Sequence, residues 1–454
     1  MIRFRNILAP AFGLALLLVQ GCSAWQVNRI ADQLPVMGPQ NALQELDKIE
    51  PPERDKAQYL LNRGTLSFYL GDLASSRADL AAAARIMEAL QASSVTENLA
   101  AVSTNETLRS YTGTPTDQVM VHVLLALTYL CEGDLDGARV EILQSQVAMQ
   151  RLAKADSTSG QLAVARFVAG VIYELNREWD DALISYRQAH GILTERNEPI
   201  PLALQDSLLL LTRRQGIKDE YKQFKKAFGR DADGAADQPE VFLIYLDGVV
   251  STKTEARLSV VAGEHAQLIS VVLPFYPPVR HISRPLLVQV GAQRQSSGII
   301  ENLDTRERDD LADEMATIMA TATARAVAKY NLVNEAQNKS ELGGLLANIA
   351  TIATEQADVR SWNMLPANIQ VARLAVAEGA MVQLPEWTEP VPAGVQLALS
   401  RGRDGVLVVS ALSPSILGYP PSPVANPVST ADANDVANPA AINTESNQQP
   451  VTTP

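Results

Sequence analysis

Across residues 25–228 apolar side chains recur every three or four positions, the period of amphipathic helices. From residue 240 the pattern changes. Residues 241–246 form a continuous apolar run with two aromatics, closed by the turn dipeptide Asp247-Gly248. Residues 268–275 and 286–290 repeat that buried-strand pattern, bounded by Pro274, Pro277, Pro278 and Pro285. A long helix is predicted from Asp304, with Asp304 as N-cap and Glu307 completing a capping box. Its stripe is Leu311, Met315, Ile318, Ala322 and Ala326, narrow enough to lie close on a sheet. A second helix over 342–354 carries Leu345, Leu346, Ile349 and Ile352. Residues 368–374 alternate as a half-buried strand does, and 395–399 with 406–409 flank Gly402-Arg403-Asp404-Gly405 as a hairpin.

Small and aromatic residues fall at regular offsets within the helical half. The clearest set is Gly170, Tyr173, Ala182, Tyr186 and Ala189, with a turn at 176–179. Ala126, Tyr129, Gly133, Ala138 and Ile142 repeat it, and Gly64, Gly71, Leu80 and Ala83 repeat it more loosely, with Ser76 where Ala is usual. A fourth hairpin over 202–228 turns at Gln215-Gly216. This half resembles the tetratricopeptide superfamily over about 170 residues. The resemblance implies small residues where paired helices touch, aromatics filling the gap between them, and a concave face able to take an extended peptide or a partner's helix. The turns at Gly71, Gly133 and Arg177 lie 62 and 44 residues apart, so the solenoid is irregular, with a polar insertion at 93–117. An interrupted groove also leaves a simpler reading, in which the helices only pack on the second half.

The expected fold class is α+β: an all-α irregular tetratricopeptide-like solenoid followed by an α+β domain with a mostly antiparallel sheet. The boundaries read as 1–21 signal segment, 22–228 repeats, 229–239 linker, 240–412 α+β domain and 413–454 disordered tail. The tail is Pro-, Ser-, Thr- and Asn-rich, too poor in apolar surface to fold.

The first residues change the setting. Arg3 and Arg5 precede an apolar run over 7–19, followed by Gln20-Gly21-Cys22. The run is shorter than the roughly 20 residues that span a bilayer. A small residue before a cysteine at the end of such a run resembles the lipobox of bacterial lipoproteins. That resemblance implies diacylglycerol on Cys22, cleavage before it and acylation, palmitate among the chains, of the new amine. Ser23 rather than Asp after the cysteine implies the outer membrane, periplasmic face. A formal charge of −13 argues against nucleic acid or anionic lipid as a partner. With Cys22 acylated, Cys131 stands alone, so no disulfide framework is expected.

Candidate chemistry is sparse. The four histidines, 122, 190, 265 and 281, share no metal-ligand spacing, and no nucleophile elbow or phosphate loop occurs, so neither metal nor cofactor is expected. The acidic run Glu301, Asp304, Glu307, Asp309, Asp310, Asp313 and Glu314 reads as a helix start favoured by the dipole and neutralised by Arg306 and Arg308. Asp358, Arg360 and Trp362 alternate along an extended segment and are candidates for ligand contact or for fixing a loop. Residues 357–362 with Leu365-Pro366, joined to the repeats, resemble an uncharacterised family of proteobacterial lipoproteins. That resemblance implies an envelope partner, related to peptidoglycan synthesis. The expected function is a non-enzymatic envelope scaffold or regulator working through the repeats. The alternative is an enzyme or small-ligand binder with its site in residues 240–410.

Overall fold

The computed structural model describes residues 22–101, 109–154, 157–231, 238–262, 267–377, 381–385, 395–396 and 404–421. The expected signal segment and most of the expected tail lie outside them.

The helical half runs α1 (Cys22–Leu46), α2 (Lys56–Tyr69), α3 (Leu73–Ala101), α4 (Pro115–Glu132), α5 (Leu135–Leu152), α6 (Ala163–Leu175), α7 (Trp179–Glu195), α8 (Leu202–Arg214) and α9 (Lys218–Phe228). Helices α2 to α9 form four antiparallel hairpins. Each hairpin turn holds one residue in the left-handed region: Gly71, Gly133, Arg177 and Gly216. Three are glycine because a side chain there meets its own backbone; Arg177 takes the same shape without that relief. Ala126, Ala138, Ala182 and Ala189 are fully buried, and Tyr173 and Tyr186 are buried beside them, while Tyr129 is half-buried. A Cβ on Gly64 would lie 2.8 Å from Leu80 Cγ, so α2 and α3 touch there. The hairpins are also laced by Arg77–Glu132 at 3.0 Å and Arg139–Glu178 at 2.9 Å, with each guanidinium near the Tyr129 or Tyr173 ring. The insertion is shorter than expected, because α3 continues to Ala101 and Thr114 with Asp117 forms the capping box of α4.

Gly170 supplies a test of this packing. A Cβ there would lie 2.6 Å from Tyr186 Cζ, whose ring is buried. Gly170→Ala is expected to lower the urea unfolding free energy by about 1–3 kcal/mol through overpacking. An unchanged midpoint would show that α6 and α7 do not meet there.

The second half holds β1 (Glu240–Asp247), β2 (Thr254–Ala262), β3 (Gln267–Phe275), β4 (Leu287–Val290), β5 (Gln293–Ser296), β6 (Gly298–Asn302), α10 (Leu303–Lys339), α11 (Glu341–Ala353), β7 (Asn368–Ala375), β8 (Met381–Gln383), β9 (Val395–Gln396), β10 (Gly405–Ser410) and β11 (Ser413–Tyr419). The main sheet has the order β11-β10-β1-β7-β6; β2–β3 is a separate ribbon, and β5-β4-β8-β9 a smaller sheet. The fold is α+β, and among the pairings of the main sheet only β1 with β10 is parallel.

Three expectations are corrected. The described parts of the expected hairpin, 395–396 and 406–409, do not pair with each other: β9 pairs with β8, and β10 lies between β1 and β11, while residues 397–403 lie outside the described residues. The tail does not begin at 413, because Ile416 and Leu417 belong to β11, opposite Val409 and Val408. The N-cap of α10 is Asn302, whose side chain accepts from Thr305 N at 2.9 Å; Asp304 turns inward instead and accepts from Ser251 N at 2.6 Å.

The two halves share one core. Buried residues run without a break from Val27 and Leu34 through α2–α8 to Phe242, Ile244, Trp362, Ile369 and Val408. A second, smaller core lies on the opposite face of the main sheet, around Leu243, Val288 and Leu407. The linker of residues 229–239 therefore joins two halves that are packed against each other.

Candidate functional site

One face of α2 carries Gln58, Asn62, Thr65 and Tyr69, spaced i, i+4, i+7, i+11, and all four are buried. A loop segment of the chain's own second half, residues 361–364, lies against this stripe. Gln58 donates to the carbonyl of Ser361 at 2.9 Å and to Asn363 Oδ1 at 3.1 Å. Met364 N donates to Asn62 Oδ1 at 3.0 Å, and the Tyr69 hydroxyl donates to the Met364 carbonyl at 3.0 Å. Trp362 is fully buried and its indole N–H donates to Thr65 Oγ1 at 2.8 Å. Asn363 reaches on to Asn28 of α1 at 3.0 Å. Two of these bonds go to backbone carbonyls and one comes from a backbone N–H. The helix thus holds a polypeptide segment largely by its backbone.

Asp358 and Arg360 precede this segment in the same loop. Arg360 makes a fork onto Asp358, at 2.9 and 2.6 Å, and its third nitrogen bonds Asp55 Oδ1 at 2.9 Å and the Arg109 carbonyl at 2.8 Å. Burial alone would raise the Asp358 carboxyl, but the Arg360 guanidinium outweighs burial and holds it below the usual carboxylate range. The Asp–Arg pair fixes the loop on the repeats, and Trp362 is wholly enclosed by protein. Of the three candidates, only Asp358 and Arg360 reach a cavity.

That cavity, of about 380 Å³, lies in the seam between the halves. Its walls are residues 109–114, Lys253 and the α10 residues Leu311, Glu314, Ile318 and Thr321, with Asp358 and Arg360 at one end. Lys253 Nζ donates to the Arg360 carbonyl at 3.2 Å. The cavity is therefore mixed in charge, with hydroxyls and cations converging from both halves. Such a shape can hold a small polar molecule.

Beside the cavity the acidic run of α10 is plugged into the repeats. Glu301 accepts from Ala163 N at the start of α6, at 2.6 Å, and pairs with Arg196 at 2.9 Å. Asp310 accepts from Thr116 N at 2.8 Å and from Ser159. Glu307 accepts from Thr114 Oγ1 at 3.1 Å and from the Tyr276 hydroxyl at 3.2 Å. Arg306 pairs with Glu198 at 2.7 Å, and Arg308 with Asp304 at 2.9 Å. The carboxylates do meet helix starts, as a dipole argument expects, but the starts belong to α4 and α6 in the other half. Two members stand out. Burial, then the nearby Asp117 and Asp310, push Glu307 well above its ordinary value, and burial raises Asp117 to about 6.

Of the other candidates, His265 lies outside the described residues. His122 bonds Glu141 at 2.8 Å, His190 lies against Phe224 and Phe228, and His281 lies 3.0 Å from Asp247. Cys131 is buried, and burial pushes its thiol up to about 12. Cys22 opens α1. The polar stripe of α2 was the functional feature that sequence reading missed. Its i, i+4, i+7, i+11 spacing was visible, but a polar stripe on a helix reads equally well as a solvated face.

No protein-family model matches the chain, and no curated protein matches it. Among solved structures, the apo form of RapI is similar at 13% identity and a TM-score of 0.30, over 42% of this chain and 45% of RapI. BtubC (BKLC) from P. vanneervenii is similar at 14% identity and a TM-score of 0.28, over 43% of this chain and 74% of BtubC. The chain thus spans under half the length of RapI, and likenesses of this size carry no argument about function.

Proposed function

We propose that this protein is a lipid-anchored envelope protein, on the periplasmic face of the outer membrane, that acts by binding and regulates or scaffolds an envelope complex. One observation supports the binding part: the α2 face of the repeats already holds a polypeptide segment by its backbone, residues 361–364 of the same chain. Because that face is covered, partner contact falls to other surfaces. Helix α5 exposes Val140, Leu143 and Val147, spaced i, i+3, i+7 as one apolar stripe. A protein of the peptidoglycan-synthesis machinery is the partner that the resemblance suggests. Crosslinking in intact membranes, with the linked residues read by mass spectrometry, tests this. Links should fall on α5 and α7, and Val140→Glu with Val147→Glu should abolish them. Links confined to the seam would sink the scaffold.

The second reading is a small-ligand binder or enzyme, and the seam cavity with its converging charged side chains favours it. Lys253→Ala would then change ligand binding while leaving the crosslinks intact.

The anchor has its own expected result. Cys22→Ala is expected to leave the precursor unprocessed or to lower the acylated, membrane-bound fraction to background, because the thiol is the attachment point for diacylglycerol. Mass spectrometry of the native protein should find acyl chains on residue 22. A wild-type protein without acyl chains would overturn the anchor.

A further inference from the structure

Among the described residues, the second half of the chain carries an arm that packs chiefly on itself. It consists of the distal part of α10, the helix α11 and the ribbon β2–β3. In α11, Leu342, Leu345, Leu346 and Ile349 repeat as i, i+3, i+4, i+7, and each is between 54% and 66% exposed. No charged residue follows Glu341 in that helix. On the ribbon Leu258 and Val260 are exposed as well. Single exposed leucines are ordinary, but an uncharged helix with its whole apolar stripe in water is not.

We propose that this arm rests on a lipid bilayer, with α11 lying in the plane of the interface. Three observations point to a membrane rather than a protein. The first is where the chain outside the structure joins it. Residues 1–21, with the apolar run at 7–19, lead into Cys22 at the start of α1. Six residues on, about 9 Å along the helix, Asn28 donates to the Lys253 carbonyl at 3.0 Å, immediately before β2. Asp32 accepts from Thr252 at 2.8 Å. The arm therefore springs from the place where the chain enters its anchor. The second is Trp25 beside it, 61% exposed with the Arg29 guanidinium 5.7 Å from its ring. An amphipathic ring with a cation suits the headgroup layer. The third is the chemistry of the arm. After Glu341 the helix bears no charge, so no ionised group of its exposed stripe would have to leave water on meeting hydrocarbon. Its 13 residues are too few to cross a bilayer and enough to lie along one.

The proposal rests on the membrane reading for why a bilayer is at hand, but not on the acyl chain. The test therefore uses the chain from residue 22 onward with Cys22→Ser, which cannot be acylated and keeps every described element. It is floated on a density gradient with vesicles of phosphatidylcholine, and separately of phosphatidylethanolamine with phosphatidylglycerol. The protein should float with both, since the contact is apolar. Leu345→Glu with Ile349→Glu should lower the bound fraction roughly tenfold or more. Leu258→Glu with Val260→Glu on the ribbon serves the same purpose if the first pair fails to fold. A protein that stays in the dense fraction would overturn the proposal. So would variants that float like the parent, or binding that needs phosphatidylglycerol and vanishes in salt. A parent that sediments as a dimer, split by the same variants, would assign the arm to a second copy instead. Acyl chains found on native Cys22 together with failed flotation would overturn the arm and spare the anchor; flotation without acyl chains would do the reverse.

Discussion

Arg373→Met is expected to cost about 3–5 kcal/mol and to unfold both halves together. Arg373 on β7 is almost fully buried where the sheet meets the repeats. Its nitrogens bond Glu174 of α6 at 2.8 and 3.0 Å, Glu240 of β1 at 2.5 Å and Ser207 of α8 at 2.7 Å. The guanidinium also stacks 4.5 Å over the Phe242 ring. Burial works against its charge, but the two carboxylates outweigh burial and hold it well above its ordinary value. Methionine fills much of the same volume and takes the cation away. Burial already raises the Glu174 carboxyl above its ordinary value, so without the guanidinium it must stay charged and unpaired or take up a proton, and either cost falls on the folded state. Replacing the charged set by apolar residues of similar size should cost far less, because no orphaned charge is left. Urea unfolding followed by far-ultraviolet circular dichroism reports the helices, and the fluorescence of Trp362 in the seam, read in a background with Trp25, Trp179 and Trp387 replaced by Phe, reports the seam. The two transitions should shift together, since one core runs through both halves. A loss under about 1 kcal/mol, or a fluorescence transition that moves alone, would show that the seam is not part of the same cooperative unit.

What the sequence revealed follows from what is local. Hairpins α4–α5 and α6–α7 were legible because Ala126, Ala138, Gly170 and Ala182 must be small where neighbouring helices touch, and those contacts lie within one hairpin. Contacts between distant segments left no such trace. Gly402-Arg403-Asp404-Gly405 carries turn chemistry, which argues for pairing of its flanks. Yet β10 found its parallel partner in β1, some 160 residues earlier. Ser413 and Pro414 made β11 look like tail, although Ile416 and Leu417 were enough for a strand once β10 offered an edge. Asp358, Arg360 and Trp362 lie in the loop that packs on the repeats, where the Asp–Arg pair fixes the loop. Nothing in their spacing says that the ligand of one half is the other half. The stripe of α11 also misled. Apolar residues at helical spacing usually mean burial, and here they face outward.

The seam should also make stability fall as pH rises, and Glu307→Gln should remove much of that fall. Glu307 and Asp117 are buried on opposite sides of the seam, one on α10 and one on α4. Asp310, Tyr111 and Tyr276 surround them, and Lys253 is the cation that offsets them in part. Both folded carboxyls lie above their ordinary values, 4.5 for Glu307 and 3.8 for Asp117, with Asp117 at about 6. Below the ordinary values folded and unfolded chains are both protonated, so these groups add no pH dependence there. Above them the unfolded chain releases protons that the folded chain keeps. Each retained proton then lowers stability by about 1.4 kcal/mol per pH unit, until the folded value is passed. For Asp117 that window closes near pH 6; for Glu307 it runs higher. Glutamine is a neutral isostere of the protonated acid, and the Thr114 and Tyr276 hydroxyls can rotate to accept from its amide. It also takes a like charge away from Asp117. The variant should therefore match the parent within about 0.5 kcal/mol near pH 4.5 and exceed it by on the order of 2 kcal/mol at pH 8. Urea unfolding at pH 4.5, 6 and 8 gives the comparison. A variant destabilised equally at every pH would mean that Glu307 serves the fold as a charged hydrogen-bond acceptor, and that the seam holds its carboxylates ionised.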